Sequence, residues 1–112
     1  MKKDPQVYLA HMRAAIEIIR EYTKEGKDAF FRDQRTQDAV IRNLEIIGEA
    51  AKNLPPEMTA RHDSVPWKNI AGMRDQLIHH YFGVDLKLVW GVVENRLDEL
   101  HKAIQEEFEL LL

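Results

Sequence analysis

Through most of the chain, apolar residues return at alternating steps of three and four, the period of an amphipathic helix. Tyr8, Met12, Ala15, Ile19 and Tyr22 form the first such stripe. Asp4-Pro5 opens it, an N-cap acceptor followed by proline at the first helical position. Gly26 suits the C-cap that ends it. A short helical turn is predicted over Lys27 to Arg32, tucking Phe30 and Phe31 inward. The second stripe, Val40, Leu44, Ile47, Ala51 and Leu54, predicts a long helix from about Asp33 to Asn53, stopped by Pro55-Pro56. Gly48, Ala50 and Ala51 are small enough for another helix to approach there.

Residues 55 to 65 read as a polar connector with a helical turn at Glu57 to Arg61. Pro66-Trp67 opens a third helix, capped near Ser64 or Val65 and ending around Tyr81 to Gly83. Asp85 caps a fourth, in which Leu86, Val89, Val93, Leu97, Leu100, Ile104, Phe108 and Leu111 run as one long stripe. Its last turns mix acids with leucines that look exposed, a feature suited to a partner. No strand-like alternation, internal repeat or low-complexity segment interrupts this pattern. The prediction is an all-α fold, an up-down bundle of four main helices plus short helical turns, forming a single domain over residues 1–112.

Composition narrows the class further. With 45% apolar and 31% charged residues the chain is a folded globular type rather than a disordered one. No apolar run approaches the roughly 20 residues that span a bilayer, and no secretion signal is evident, so a cytoplasmic protein is expected and no membrane association. The absence of cysteine removes disulfides and thiolate zinc sites. Sixteen Lys and Arg against 19 Asp and Glu, a net charge of −3, argue mildly against a general nucleic-acid binder. A local basic site remains compatible with that balance.

The chemistry is concentrated in Met73-Arg74-Asp75-Gln76-Leu77-Ile78-His79-His80-Tyr81-Phe82-Gly83. At about 100° per residue, Ile70, Met73, Leu77 and Tyr81 share a core face, while Gly72, Asp75, Gln76 and His79 share the opposite one. Asp75 and His79 stand at i and i+4, so the carboxylate can fix the imidazole tautomer. Arg74 lies about 140° from His79 on an ideal helix, so one helix does not aim both at one point. A wrapped arginine or a distorted helix would reconcile them, but a symmetric dimer does so most simply and also covers Gly72. The bland alternative is a set of solvated residues and modest ion pairs. No metal site is expected, since His79 and His80 point to different faces and no His-Glu-x-x-His exists. Ser64 is the sole serine, and no Gly-rich phosphate loop occurs. His11, His62 and His101 read as surface residues.

Arg74-x4-His79-x-Tyr81 resembles the signature of the HepT-like ribonuclease toxins, a branch of the HEPN superfamily of helical domains. The segment from Gln37 to Ala51 resembles that family's second helix, and Val65 to Arg74 its entry into the catalytic helix. Tyr81-Phe82-Gly83-Val84-Asp85 followed by Val89-Trp90 is similar to the exit. The resemblance implies a homodimer whose two motifs line an interface cleft and cleave RNA, such as tRNA or mRNA, without metal or cofactor. Arg74 and His79 fall on the catalytic positions, and Asp75 on the supporting polar one. Such chemistry would leave a cyclic 2′,3′-phosphate and a 5′-hydroxyl, with His79 as acid or base and Arg74 stabilising phosphate charge. The resemblance further implies a type VII toxin–antitoxin pair, in which a minimal nucleotidyltransferase antitoxin adenylylates Tyr81. The competing expectation is a non-catalytic subunit that binds a nucleotide or docks a nucleotidyltransferase.

Overall fold

A computed structural model describes residues 4–78 and 85–111, with residues 74 and 76–78 described by their backbone alone. Seven helices occupy the described residues: α1 (Pro5–Tyr22), α2 (Lys27–Arg32), α3 (Gln34–Lys52), α4 (Pro56–Ala60), α5 (Trp67–Ile78), α6 (Leu86–Asn95) and α7 (Leu97–Leu110). The all-α expectation is met, and none of these helices is long and apolar enough to cross a membrane. The predicted end of the third helix, at Tyr81 to Gly83, lies outside the described residues.

Three aspartates begin three helices, each by accepting backbone N–H groups that the first turn leaves unpaired. Asp4 Oδ1 accepts from Gln6 at 2.9 Å, ahead of Pro5. Asp33 Oδ1 accepts from Arg35 at 3.0 Å, and its second oxygen holds the Thr36 hydroxyl. Asp85 Oδ1 accepts from both Lys87 and Leu88.

The core is the set of stripes turned toward α3. Val40, Leu44, Ile47, Ala50, Ala51 and Leu54 are all buried, as the second stripe predicts. Helix α3 lies between α1 and α5, with α7 packed on α1. From α1 the buried residues are Leu9, Met12, Ala15, Ile16 and Ile19; Tyr8 is partly buried and Tyr22 is 49% exposed. The first stripe therefore ends at Ile19, because α1 itself stops at Tyr22 with Thr23 as its C-cap. The Thr23 N–H and hydroxyl both bond the Ile19 carbonyl, which satisfies that end. Gly26 is thus not the C-cap of α1. It is the residue before α2, at φ 92°, a region open to glycine and costly for a side chain. Of the two phenylalanines in α2, Phe30 is fully buried and Phe31 partly so.

The fourth stripe is not one helix. Arg96, at φ −116° and ψ −24°, separates α6 from α7 without a proline or glycine. The two halves have different neighbours. Trp90 of α6 packs on Phe30 at 5.2 Å, while α7 lies along α1. Arg20 to Asp98 (2.6 Å) and Arg13 stacked 4.2 Å over Phe108 add polar and cation–π contacts between α1 and α7. A one-residue interruption lets Val89 and Leu97 both reach the core along these separate directions. Leu110 and Leu111 stay 66% and 50% exposed, as their acidic setting predicts.

Candidate active site

Helix α5 carries the first part of the reactive stretch, and its inner face fixes its orientation. Ile70 and Met73 are buried, and Trp67 and Ala71 pack on the same core. The Trp67 indole N–H donates to the His62 carbonyl at 2.9 Å, pinning the start of α5 to the preceding connector. The expected core face is therefore observed at Ile70 and Met73.

The opposite face is open. Asp75 is exposed, and its Oδ2 lies 3.7 Å from Nζ of Lys52, in the last turn of α3. One turn before Asp75, a side chain on Gly72 would meet nothing within 4 Å. Lys68, exposed in the first turn, lies on this face too. On an ideal helix Lys68, Gly72 and Asp75 fall within about 60° of one another. This surface combines unobstructed backbone with two ammonium groups and one carboxylate.

Of the site residues predicted from sequence, Asp75 points outward as expected. Arg74 lies on α5, with its backbone helical. His79 and Tyr81 lie outside the described residues, as does His80.

Beside α5 runs an apolar groove of about 320 Å³. Ile70, Met73 and Asn69 of α5 form one wall and Leu88, Val89 and Val92 of α6 the other, over Leu44. Leu88 on its rim is 51% exposed.

A second polar cluster was not foreseen from sequence. His62, read as a surface residue, has a side chain only 10% exposed. Its Nε2 lies 2.6 Å from Oε2 of Glu107, which is itself buried. Arg61 makes a two-pronged contact with the same carboxylate, Nε to Oε2 at 3.1 Å and Nη2 to Oε1 at 2.6 Å. Glu106 approaches His62 Nδ1 at 3.4 Å from the solvent side. The Arg61 hydrogen bond, followed by that of His62, holds the Glu107 carboxyl below its ordinary value against the opposing effect of burial. The cluster ties the connector that launches α5 to α7. One signal for it was present: Leu97, Leu100, Ile104 and Glu107 step by 3, 4 and 3, so an acid occupies a core position. Of the other two histidines, His11 is exposed and His101 half-buried.

Comparison with known proteins gives a uniform result. A family model described as "Ribonuclease HepT-like" matches residues 12–107. A Methanocaldococcus jannaschii protein named "Gamma-glutamylcyclotransferase and putative RNase" is 50% identical over 112 residues, covering 99% of this chain and 50% of that protein. The chain thus spans about half the length of that relative. A Thermococcus cleftensis protein named "Probable ribonuclease HepT" is 46% identical over 101 residues, 89% of this chain and 92% of its own. A "Putative RNase" of Caldanaerobacter subterraneus subsp. tengcongensis is 45% identical over 105 residues, 93% and 94% of the two chains. No solved structure matches the chain.

Proposed function

Because the chain belongs to the HepT-like ribonuclease family, we propose that it is a metal-independent endoribonuclease acting through Arg74 and His79. The observation that carries this reading is the Arg74-x4-His79-x-Tyr81 set, which lies intact within the matched residues 12–107. His79 takes the proton of the ribose 2′-hydroxyl as a neutral imidazole or, when protonated, gives one to the departing 5′-oxygen, the complementary proton passing to or from water. The Arg74 guanidinium stabilises the charge that grows on the phosphate oxygens. Asp75, outward on α5 and one turn before position 79, orients the imidazole. The products are a cyclic 2′,3′-phosphate and a 5′-hydroxyl.

The working unit is a homodimer. Helical geometry separates Arg74 from His79 by about 140°, so the histidine of one copy meets the arginine of the other. The half-exposed Leu88 and the groove between α5 and α6 supply apolar surface beside the motif helix for a second copy to cover.

The protein acts as the toxin of a type VII pair, restrained by a minimal nucleotidyltransferase that adds AMP to Tyr81. The added phosphate puts bulk and negative charge beside the arginine and excludes RNA. Co-expression with such an enzyme is expected to raise the intact mass by about 329 Da per AMP, and Tyr81→Phe to remain unmodified. Modification of the phenylalanine variant would place the acceptor elsewhere.

The proposal is tested with purified, unmodified protein and RNA in EDTA. Wild type is expected to cleave and Arg74→Ala to lose about 100-fold or more in rate, the scale for removing one charge-stabilising donor. Equal cleavage by the variant, or none by wild type, would sink it.

A further inference from the structure

We infer that Lys52 and Lys68 form a phosphate track on the outer face of α5, leading single-stranded RNA to the proposed catalytic pair. This rests on the ribonuclease reading above and adds two residues, one of them from a different helix. Three observations support it. Lys52 brings its ammonium from the end of α3 to within 3.7 Å of Asp75, at the point where an uncompensated carboxylate would repel a phosphodiester. Lys68 sits two turns earlier, roughly 10 Å along the helix from Asp75. There it occupies the first turn, where the helix dipole disfavours a cation, and it forms no ion pair among the described residues. Between the two, Gly72 leaves the surface clear, with nothing within 4 Å of where a side chain would begin, so the track requires a second copy to cover the α5–α6 groove and not the Gly72 face.

Flexible lysines over unobstructed backbone suit a polyanion bound along its backbone rather than by base readout. As phosphate arrives, Lys52 exchanges part of its attraction to Asp75 for the incoming oxygen. With a net charge of −3 the chain as a whole repels a polyanion, so local cations on this face would favour the approach of RNA there. A purely structural Lys52, completing the end of α3 and pairing with Asp75, would leave the salt dependence of RNA binding unchanged.

The experiment uses full-length protein carrying His79→Ala, so that a single-stranded RNA of about a dozen nucleotides survives, and follows binding by fluorescence anisotropy from low to high salt. Adding Lys52→Ala or Lys68→Ala is expected to weaken binding about fivefold near 0.1 M salt. Each should also flatten the slope of log K against log salt by about 0.7, and the pair by about 1.4. Lys52→Arg should keep the slope, and Lys102→Ala on α7 should leave both quantities unchanged. Unaltered slopes in both alanine variants would overturn the track, as would failure of the His79→Ala protein to bind RNA at low salt. Parallel cleavage assays separate the two claims. If wild type cleaves and the lysine variants match it in binding and rate, the track fails and the ribonuclease reading stands. If wild type does not cleave while the lysine dependence holds, the track stands as an RNA surface and the catalytic reading fails.

Discussion

His79→Ala is expected to lower RNA cleavage by about 1,000-fold, within the range of a positioned general acid or base. The loss should fall on the chemical step, leaving RNA affinity within about twofold, since a neutral imidazole adds little to polyanion binding. A mixing experiment sharpens this. His79→Ala protein and Arg74→Ala protein are each expected to be inactive alone. In a dimer that pairs one copy's histidine with the other's arginine, each mixed dimer regains one complete site. After equal mixing and exchange, activity should return to about a quarter of wild type, because about half the dimers are mixed and each has one working site. Silence after mixing, with exchange verified by mass, would show that each copy supplies its own pair. Cleavage by His79→Ala alone at the wild-type rate would remove the histidine from the mechanism.

The second large effect is on stability. Glu107→Gln should cost about 3 kcal/mol and lower Tm by roughly 10 °C, because it removes the buried carboxylate that pairs with the Arg61 guanidinium and hydrogen-bonds His62. Its pH dependence has a definite sign. The folded carboxyl titrates below its ordinary value of 4.5, so its contribution is complete above that pH. It is lost as the solution is acidified through the lower folded value. Thermal melts of wild type and variant should therefore differ more near neutrality than in acid, converging only once acid protonates the folded carboxyl, below its ordinary value. A gap smaller than about 0.5 kcal/mol at pH 7, or one that widens in acid, would contradict the role assigned to this cluster. The effect reaches the candidate active site indirectly: Arg61 and His62 lie in the connector whose His62 carbonyl receives the Trp67 indole at the head of α5.

Local signals at helix starts were reliable. Asp4 and Asp85 cap the helices they precede, as read, because capping needs only an acceptor and the next three residues; Asp33, read only as the start of its helix, caps it too. The second stripe and the inner face of α5 at Ile70 and Met73 are likewise set by spacing within one helix. Long-range contacts were harder to read. The break at Arg96 carries no proline or glycine; it arises because α6 and α7 meet different neighbours. Gly26 reads as a terminator of α1, whereas Thr23 closes that helix and the glycine turns the chain into α2. The Arg61–His62–Glu107 cluster joins residues 46 and 45 positions apart, and the Lys52–Asp75 pair crosses from α3 to α5. The periodic pattern marks Glu107 as an acid at a core step, but it does not show the partner of either Glu107 or Asp75.

For the site itself, helical geometry placed Asp75 on the outer face, where it is found. Position along one helix did not show Lys52 as its partner, because that lysine arrives from another element. A helical wheel shows only what a single helix carries, so a face completed by α3 is invisible to it.

The central claim is that RNA is cut by attack of its own 2′-hydroxyl, driven by His79 and Arg74 without metal. The most direct measurement is mass spectrometry of the products from a short RNA, cleaved in EDTA, beside the same RNA with a single 2′-deoxy residue at the cut site. Fragments ending in cyclic 2′,3′-phosphate and beginning with 5′-hydroxyl, with the deoxy substrate intact at that site, are the predicted result. Cleavage of the deoxy substrate there, or products carrying 5′-phosphate that form only with a divalent ion, would contradict it.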